Sequence, residues 1–185
     1  MESINSKSQV VADSVKQILN VYDTASRDGL RDTPMRVARM YEELLTPQEF
    51  TLTCFPSEGY DEMVVETGIE FFSLCEHHMV PFFGTVSIGY IPGVSMVGIS
   101  KLARTVEYFA RRLQVQERMT IQIADYLYEK LMPRGIGVII TARHLCQEMR
   151  GIKKRNTSTI TSALRGVLIG NTGAREEFLQ LCKLT

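Results

Sequence analysis

The chain has 185 residues, 44% apolar and 23% charged, with Lys+Arg and Asp+Glu both at 21, enough for one domain with a substantial core. A formal charge of zero argues against a nucleic-acid partner, which is usually held through its phosphates on a basic face, and is tolerable where much of the surface is buried in an oligomer. The opening MESINSKSQV has no apolar run behind a basic segment and no stretch approaches the ~20 apolar residues of a membrane span, so a soluble cytoplasmic protein is expected, its four cysteines reduced.

From the N-terminus, Val11, Val15, Ile18, Leu19 and Tyr22 recur at helical spacing and predict an amphipathic helix over 7–22. Arg27-Asp28-Gly29 reads as a loop. Thr33-Pro34 then supplies an N-cap and a first-turn proline to a second helix, with Val37, Met40, Tyr41, Leu44 and Leu45 as its apolar stripe and Thr46-Pro47 as its end. Residues 48–59 read as irregular connection. Val, Ile, Thr and Phe then dominate 63–74, and 85–91 alternates through Val86, Ile88 and Tyr90, which predicts an antiparallel strand pair joined around 75–81. Pro92-Gly93 ends the second strand.

Helical spacing returns over 100–113 through Leu102, Val106, Phe109 and Leu113, and again over 116–132, stopped by Pro133-Arg134-Gly135. Two further β-type segments follow at 136–144 and 157–169, then a short helix at 175–184. The order is helix, helix, then β-β-α-α-β-β, which predicts an α+β fold with an antiparallel sheet and helices on one face. The expected division is an N-terminal helical segment, 1–60, and a catalytic segment, 61–185, within one domain.

The most informative stretch is Cys75-Glu76-His77-His78, where a turn can bring Cys75 and His78 onto one cation. His144-Leu145-Cys146 follows at a predicted strand end, where alternation would point His144 and Cys146 to one side. All three histidines of the chain lie in these two segments. Thiolate and imidazole together favour zinc. Five candidate donors exceed what a closed four-ligand site needs, and the surplus suits proton transfer beside a three-ligand catalytic ion. A structural site and ordinary packing of the thiols both stay open on pattern alone. Cys54 and Cys182 have no such neighbours.

Gly98-Ile99-Ser100-Lys101 opens a helix with Ser100 as the expected N-cap, yet Lys101 and Arg104 carry the wrong sign for a first turn. An anion at that helix start would make them favourable, and a solvated first turn is the alternative. Arg150 to Arg155 forms a second basic cluster, from which Arg150 can reach the metal segment. Glu117 sits in a helix first turn, where dipole complementation alone would suit it. Were the ligand a guanine, its carboxylate could also accept from N1–H and the 2-amino group together.

With these motifs assembled, the chain resembles the GTP cyclohydrolase I family. The resemblance rests on Thr33-Pro34-Met35-Arg36, Cys75-Glu76-His77-His78, Gly98-Ile99-Ser100-Lys101, Gln114-Val115-Gln116-Glu117-Arg118, His144-Leu145-Cys146, Arg150-Gly151 and the C-terminal Arg175-Glu176-Glu177-Phe178. It implies a tunnelling fold, assembled as a homodecamer of two pentamers with active sites between subunits. It implies Zn2+ on Cys75, His78 and Cys146, and a zinc-activated water attacking C8 of GTP. His144 would protonate the neighbouring ring nitrogen, and His77 would carry protons during ring and ribose opening. Ser100, Lys101, Arg104 and Arg150 would hold the triphosphate with Arg36 of an adjacent subunit, while Gln116 and Glu117 seat the guanine and Glu76 joins the substrate contacts. The family products are 7,8-dihydroneopterin triphosphate and formate. Gln147-Glu148 departs from the apolar or small residues that members often carry after the second cysteine. Two other readings compete: a tunnelling-fold enzyme acting on a pterin or deazapurine, and a zinc-stabilised interaction module using 153–155.

Overall fold

Residues 6–22 and 27–183 are described by the computed structural model, in which the chain divides into two units, Met1–Thr46 and Pro47–Thr185. The first holds α1 (Ser6–Tyr22), a 3-10 turn (Asp28–Leu30) and α2 (Thr33–Leu44). Asp32, not Thr33, occupies the N-cap of α2, and Pro34 sits in the first turn, where its missing N–H costs nothing. Helices α1 and α2 pack together, burying Ala12 and Ala38, and Ser8 donates to Glu42 at 2.8 Å. Among the described residues no helix is long and apolar enough to cross a membrane.

The second unit is built on a five-stranded sheet, with β2 (Val64–Cys75), β3 (Pro81–Ile91), β5 (Leu113–Gln114), β6 (Gly135–His144) and β7 (Thr159–Gly166) in the order β5-β2-β3-β6-β7. Neighbours are antiparallel except β5, which runs parallel to the end of β2 at Leu74 and Cys75. Strand alternation sends Phe82, Val86, Ile88, Ile136, Val138 and Ile140 to one face. There they meet Leu102 and Val106 of α3 (Ile99–Ala110) and Met119, Ile123 and Leu127 of α4 (Gln116–Leu131) in one core cluster. Each such side chain contributes about 1.5–3 kcal/mol on burial. That core fixes where both helix N-termini emerge.

The other face is not bare, which corrects the expectation of helices on one face. Gly89 and Gly137 are register partners, and a Cβ on either would lie 2.5 Å from the ring of Phe178. The strip without side chains seats Phe178 of α7 (Thr172–Leu181), which is fully buried there with Met63 and Leu168.

Boundaries shift for local reasons. The stretch read as irregular contains β1 (Cys54–Pro56), which pairs with β4 (Ser95–Val97). Helix α3 begins at Ile99 with Gly98 as its N-cap, so Ser100 is an exposed first-turn residue and not the cap. The helix ends at Ala110, which frees Leu113 for β5. The last strand stops at Gly166, whose φ of 61° and close approach to the Arg134 carbonyl only glycine accepts; the chain then enters α6 (Val167–Gly170).

Candidate metal centre and active site

Strand β2 ends at Cys75, and the chain reverses tightly into β3. The Cys75 carbonyl accepts from Met79 N at 2.8 Å and from His78 N at 3.3 Å, while Cys75 N donates to Val80 O at 3.0 Å. Met79 at φ 52° completes the turn. This closed loop folds His78 back over the strand end, with Nδ1 4.0 Å from Cys75 Sγ; His77 Nδ1 lies 3.7 Å from the same sulfur.

The third donor arrives from β6. Its last residue, His144, pairs in register with Phe82 at the start of β3, so β6 ends beside the turn. The chain then enters α5 (Leu145–Glu148), a single helical turn. Cys146 is therefore not on a strand, and the alternation argument that put it on one side with His144 fails. The helical turn carries Cys146 to Cys75 and His78, and the ligand atoms of the three lie within 4.8 Å of one another. A tetrahedral ion with bonds of about 2.0–2.3 Å separates its donors by roughly 3.5–4 Å, so small adjustments would close the group on a metal.

The electrostatics agree with a cation site. Burial raises the pKa of the Cys146 thiol, and the adjacent Cys75 sulfur raises it further, while the charge of Arg150 opposes them. The Cys146 thiol thus resists ionisation until a positive charge joins it. Arg150 Nη1 stands 3.1 Å from His78 Nε2, which brings a guanidinium to the same place.

His144 stays on the strand and faces α4. Its ring stacks on Phe82 at 4.9 Å with an interplanar angle of 0°, and its Nε2 lies 2.8 Å from Gln116 Oε1. Burial holds its pKa below the ordinary histidine value, and the nearby Glu117 carboxylate pulls the other way. Glu117 itself is exposed in the first turn of α4. The Glu76 carboxylate is taken up by Arg118, which also donates to Gln114 Oε1 at 3.1 Å and to Leu113 O at 3.1 Å. That hydrogen bond holds the Glu76 carboxyl below its usual range. Glu76 N donates to Gln114 O at 3.0 Å, so the metal-side turn is fastened to β5 and α4.

Contacts and fields thus join Cys75, His77, His78, Cys146 and Arg150 into one group and His144, Gln116 and Glu117 into a second. Among the described residues no hydrogen bond or ion pair links Ser100, Lys101 or Arg104 of α3 to them. Arg36 belongs to the first unit. Sequence reasoning gave no role to Arg118, Arg143 or Phe82. Arg143 clamps Glu148 through Nε–Oε1 at 2.8 Å and Nη2–Oε2 at 2.6 Å, bracketing the segment that carries Cys146. Strand register could have found Phe82; nothing in the sequence marked Arg143.

The family model for GTP cyclohydrolase I matches residues 11–183. The GTP cyclohydrolase 1 of Aquifex aeolicus is 49% identical over 177 residues, covering 92% of this chain and 96% of that protein. That of Wolinella succinogenes is 49% identical over 179 residues, covering 94% and 96%, and that of Halalkalibacterium halodurans 50% over 164, covering 85% and 87%. The chain belongs to the GTP cyclohydrolase I family.

Proposed function

We propose that this chain is a zinc-dependent hydrolase that opens the imidazole ring of GTP at C8 and yields 7,8-dihydroneopterin triphosphate and formate. The observation that carries the reading is the meeting of Cys75, His78 and Cys146 beside two further histidines, in a chain 49% identical to proteins named for this activity. Two thiols and an imidazole are the donor chemistry that zinc accepts, and three protein donors leave one coordination position for solvent. Zinc bound there would supply Lewis acidity, bringing a water to a pKa of about 7.

The residues around it divide the remaining work. His144, whose burial favours the neutral ring, takes up a proton and passes it to the ring nitrogen beside C8. His77 is exposed at the turn and carries protons during opening of the second bond and of the ribose. Glu117 accepts from guanine N1–H and the 2-amino group. Arg150, Lys101 and Arg104, with the Ser100 hydroxyl and Arg36 of a neighbouring subunit, balance the triphosphate charge. Two hydrolyses, a sugar rearrangement and a ring closure then complete the conversion.

An active site shared between subunits accords with the sheet edges. Among the described residues β5 covers only Leu74 and Cys75 of β2, and β7 has one neighbour, so two long edges stand ready for side-by-side pairing. We assign the chain on this basis to the tunnelling fold and a decamer of two pentamers, with 1–60 as the N-terminal segment, carrying α1, α2 and β1, and 61–185 as the catalytic one. Thiolate ligands suit the reducing cytoplasm.

Purified protein given GTP and zinc is expected to release formate and, after oxidation, a fluorescent pterin. Guanosine should turn over far more slowly; equal rates for guanosine and GTP would reject the triphosphate clamp.

A further inference from the structure

Gln116 sits in the first turn of α4, where a substrate contact is expected, but it is only 1% exposed. Its Nε2 lies 3.1 Å from the Ile140 carbonyl, 3.0 Å from the Thr159 carbonyl and 3.1 Å from Thr161 Oγ1. Its Oε1 is 2.8 Å from His144 Nε2. Backbone carbonyls accept and never donate, so the end of the amide that faces two of them must be the NH2. The reversed amide would press oxygen against oxygen in a buried site. Oε1 therefore turns to His144 and can only accept, which requires a hydrogen on His144 Nε2.

The surroundings hold that polarity. Thr120 Oγ1 donates to Gln116 O at 2.7 Å and lies 2.7 Å from Thr161 Oγ1. Since its proton is committed to that carbonyl, Thr120 accepts from Thr161, and Thr161 in turn accepts from the Gln116 amide. The two Nε2 hydrogens are shared among the two carbonyls and Thr161 Oγ1, one of them bifurcated, and rotating the Gln116 side chain would strand several buried partners. The parallel Phe82 ring fixes the plane of the imidazole.

We propose that Gln116 is a positioning residue for His144: it holds the imidazole in the Nε2–H form, so that Nδ1 is the nitrogen that exchanges a proton with the substrate. The inference rests on the proton-transfer role given to His144 above. In the first hydrolysis, oxygen of the attacking water bonds to C8 and its proton passes to Nδ1. The same nitrogen then delivers that proton to the ring nitrogen, while the Nε2 hydrogen stays on Gln116 and His144 returns to its starting form.

The test is 15N NMR on zinc-loaded protein labelled at histidine, which has only three such rings. The His144 signals are identified by their loss in His144→Phe. The expected spectrum at neutral pH shows a protonated, directly coupled Nε2 and an unprotonated Nδ1. A protonated Nδ1 would overturn the proposal. In Gln116→Met the two forms should mix, with kcat down on the order of 100-fold and KM for GTP within about threefold. A raised KM with kcat retained would instead make Gln116 a direct substrate contact. Should Gln116→Met not fold, the unsubstituted spectrum decides alone. Formate release by the unsubstituted protein tests the underlying reaction separately, since its absence would leave the measured tautomer standing.

Discussion

Cysteine 146 carries a thiol that burial and a neighbouring sulfur both keep protonated, and a metal is the counter-charge that would reverse this. Cys146→Ala should therefore lower bound zinc well below one per chain and remove formate release, with far-UV circular dichroism unchanged. Retained activity would count against the proposed role of the site. Glu66 gives a second prediction at this scale. It pairs in register with Ile88 on the helix-facing side of the sheet, and its Oε2 is buried without a hydrogen-bond partner among the described residues. Burial raises its pKa above 4.5, so between 4.5 and that raised value the folded chain binds more protons than the unfolded one. Stability from this group thus rises as pH falls through that window and is lost above it. Glu66→Gln is expected to lift the melting midpoint by about 1–3 °C near neutral pH, with the gain shrinking toward pH ~5. A gain that grows on acidification would contradict this. Residue chemistry was the most legible part of the sequence: Cys75, His77, His78, His144 and Cys146 stood out by type and clustering, and the family resemblance singled out Cys75, His78 and Cys146 among them. The engagement of Gln116 was not legible, because its amide partners lie 24 to 45 residues away on two strands.

Elements decide whether those residues meet. The helical turn α5 was hidden in the sequence, since four residues are too few to show a period, and alternation carried past the strand end gave a wrong geometric reason for the placing of Cys146. The Arg143–Glu148 clamp explains how that turn is held. It also gives Glu148, a residue only 6% exposed, a partner for its carboxylate. Glu148→Ala is expected to weaken zinc retention about tenfold in a chelator competition while leaving the helix content intact; unchanged retention would mean the turn holds itself. Strands β2, β3 and β6 were legible from alternation and β-branched content. What alternation could not reveal was the tightness of the β3–β6 ladder. A Cβ on Gly84 would fall 1.9 Å from the Thr141 carbonyl, a backbone atom that cannot step aside locally. Gly84→Ala should destabilise the fold by about 3 kcal/mol or more, read by denaturant unfolding.

For the whole molecule, the core between α3, α4 and one sheet face is built mainly from aliphatic and aromatic side chains, and of the metal group only Cys75 belongs to it, with Cys146 packed against it at the sheet's end. Removing zinc should thus cost activity and leave the fold largely intact, whereas a zinc-stabilised module would unfold with its ion. The overall α+β class followed from the order of periodicities. The covering of the second sheet face by Phe178 did not, because two glycines in separate strands look like weak points until their register is known. Zinc-stripped protein, reloaded in steps and assayed for formate from GTP at each step, tests the central claim most directly. Formate release should rise in proportion to bound zinc and saturate near one ion per chain. Formate made by the stripped protein, or none made at full loading, would contradict a catalytic ion held by Cys75, His78 and Cys146.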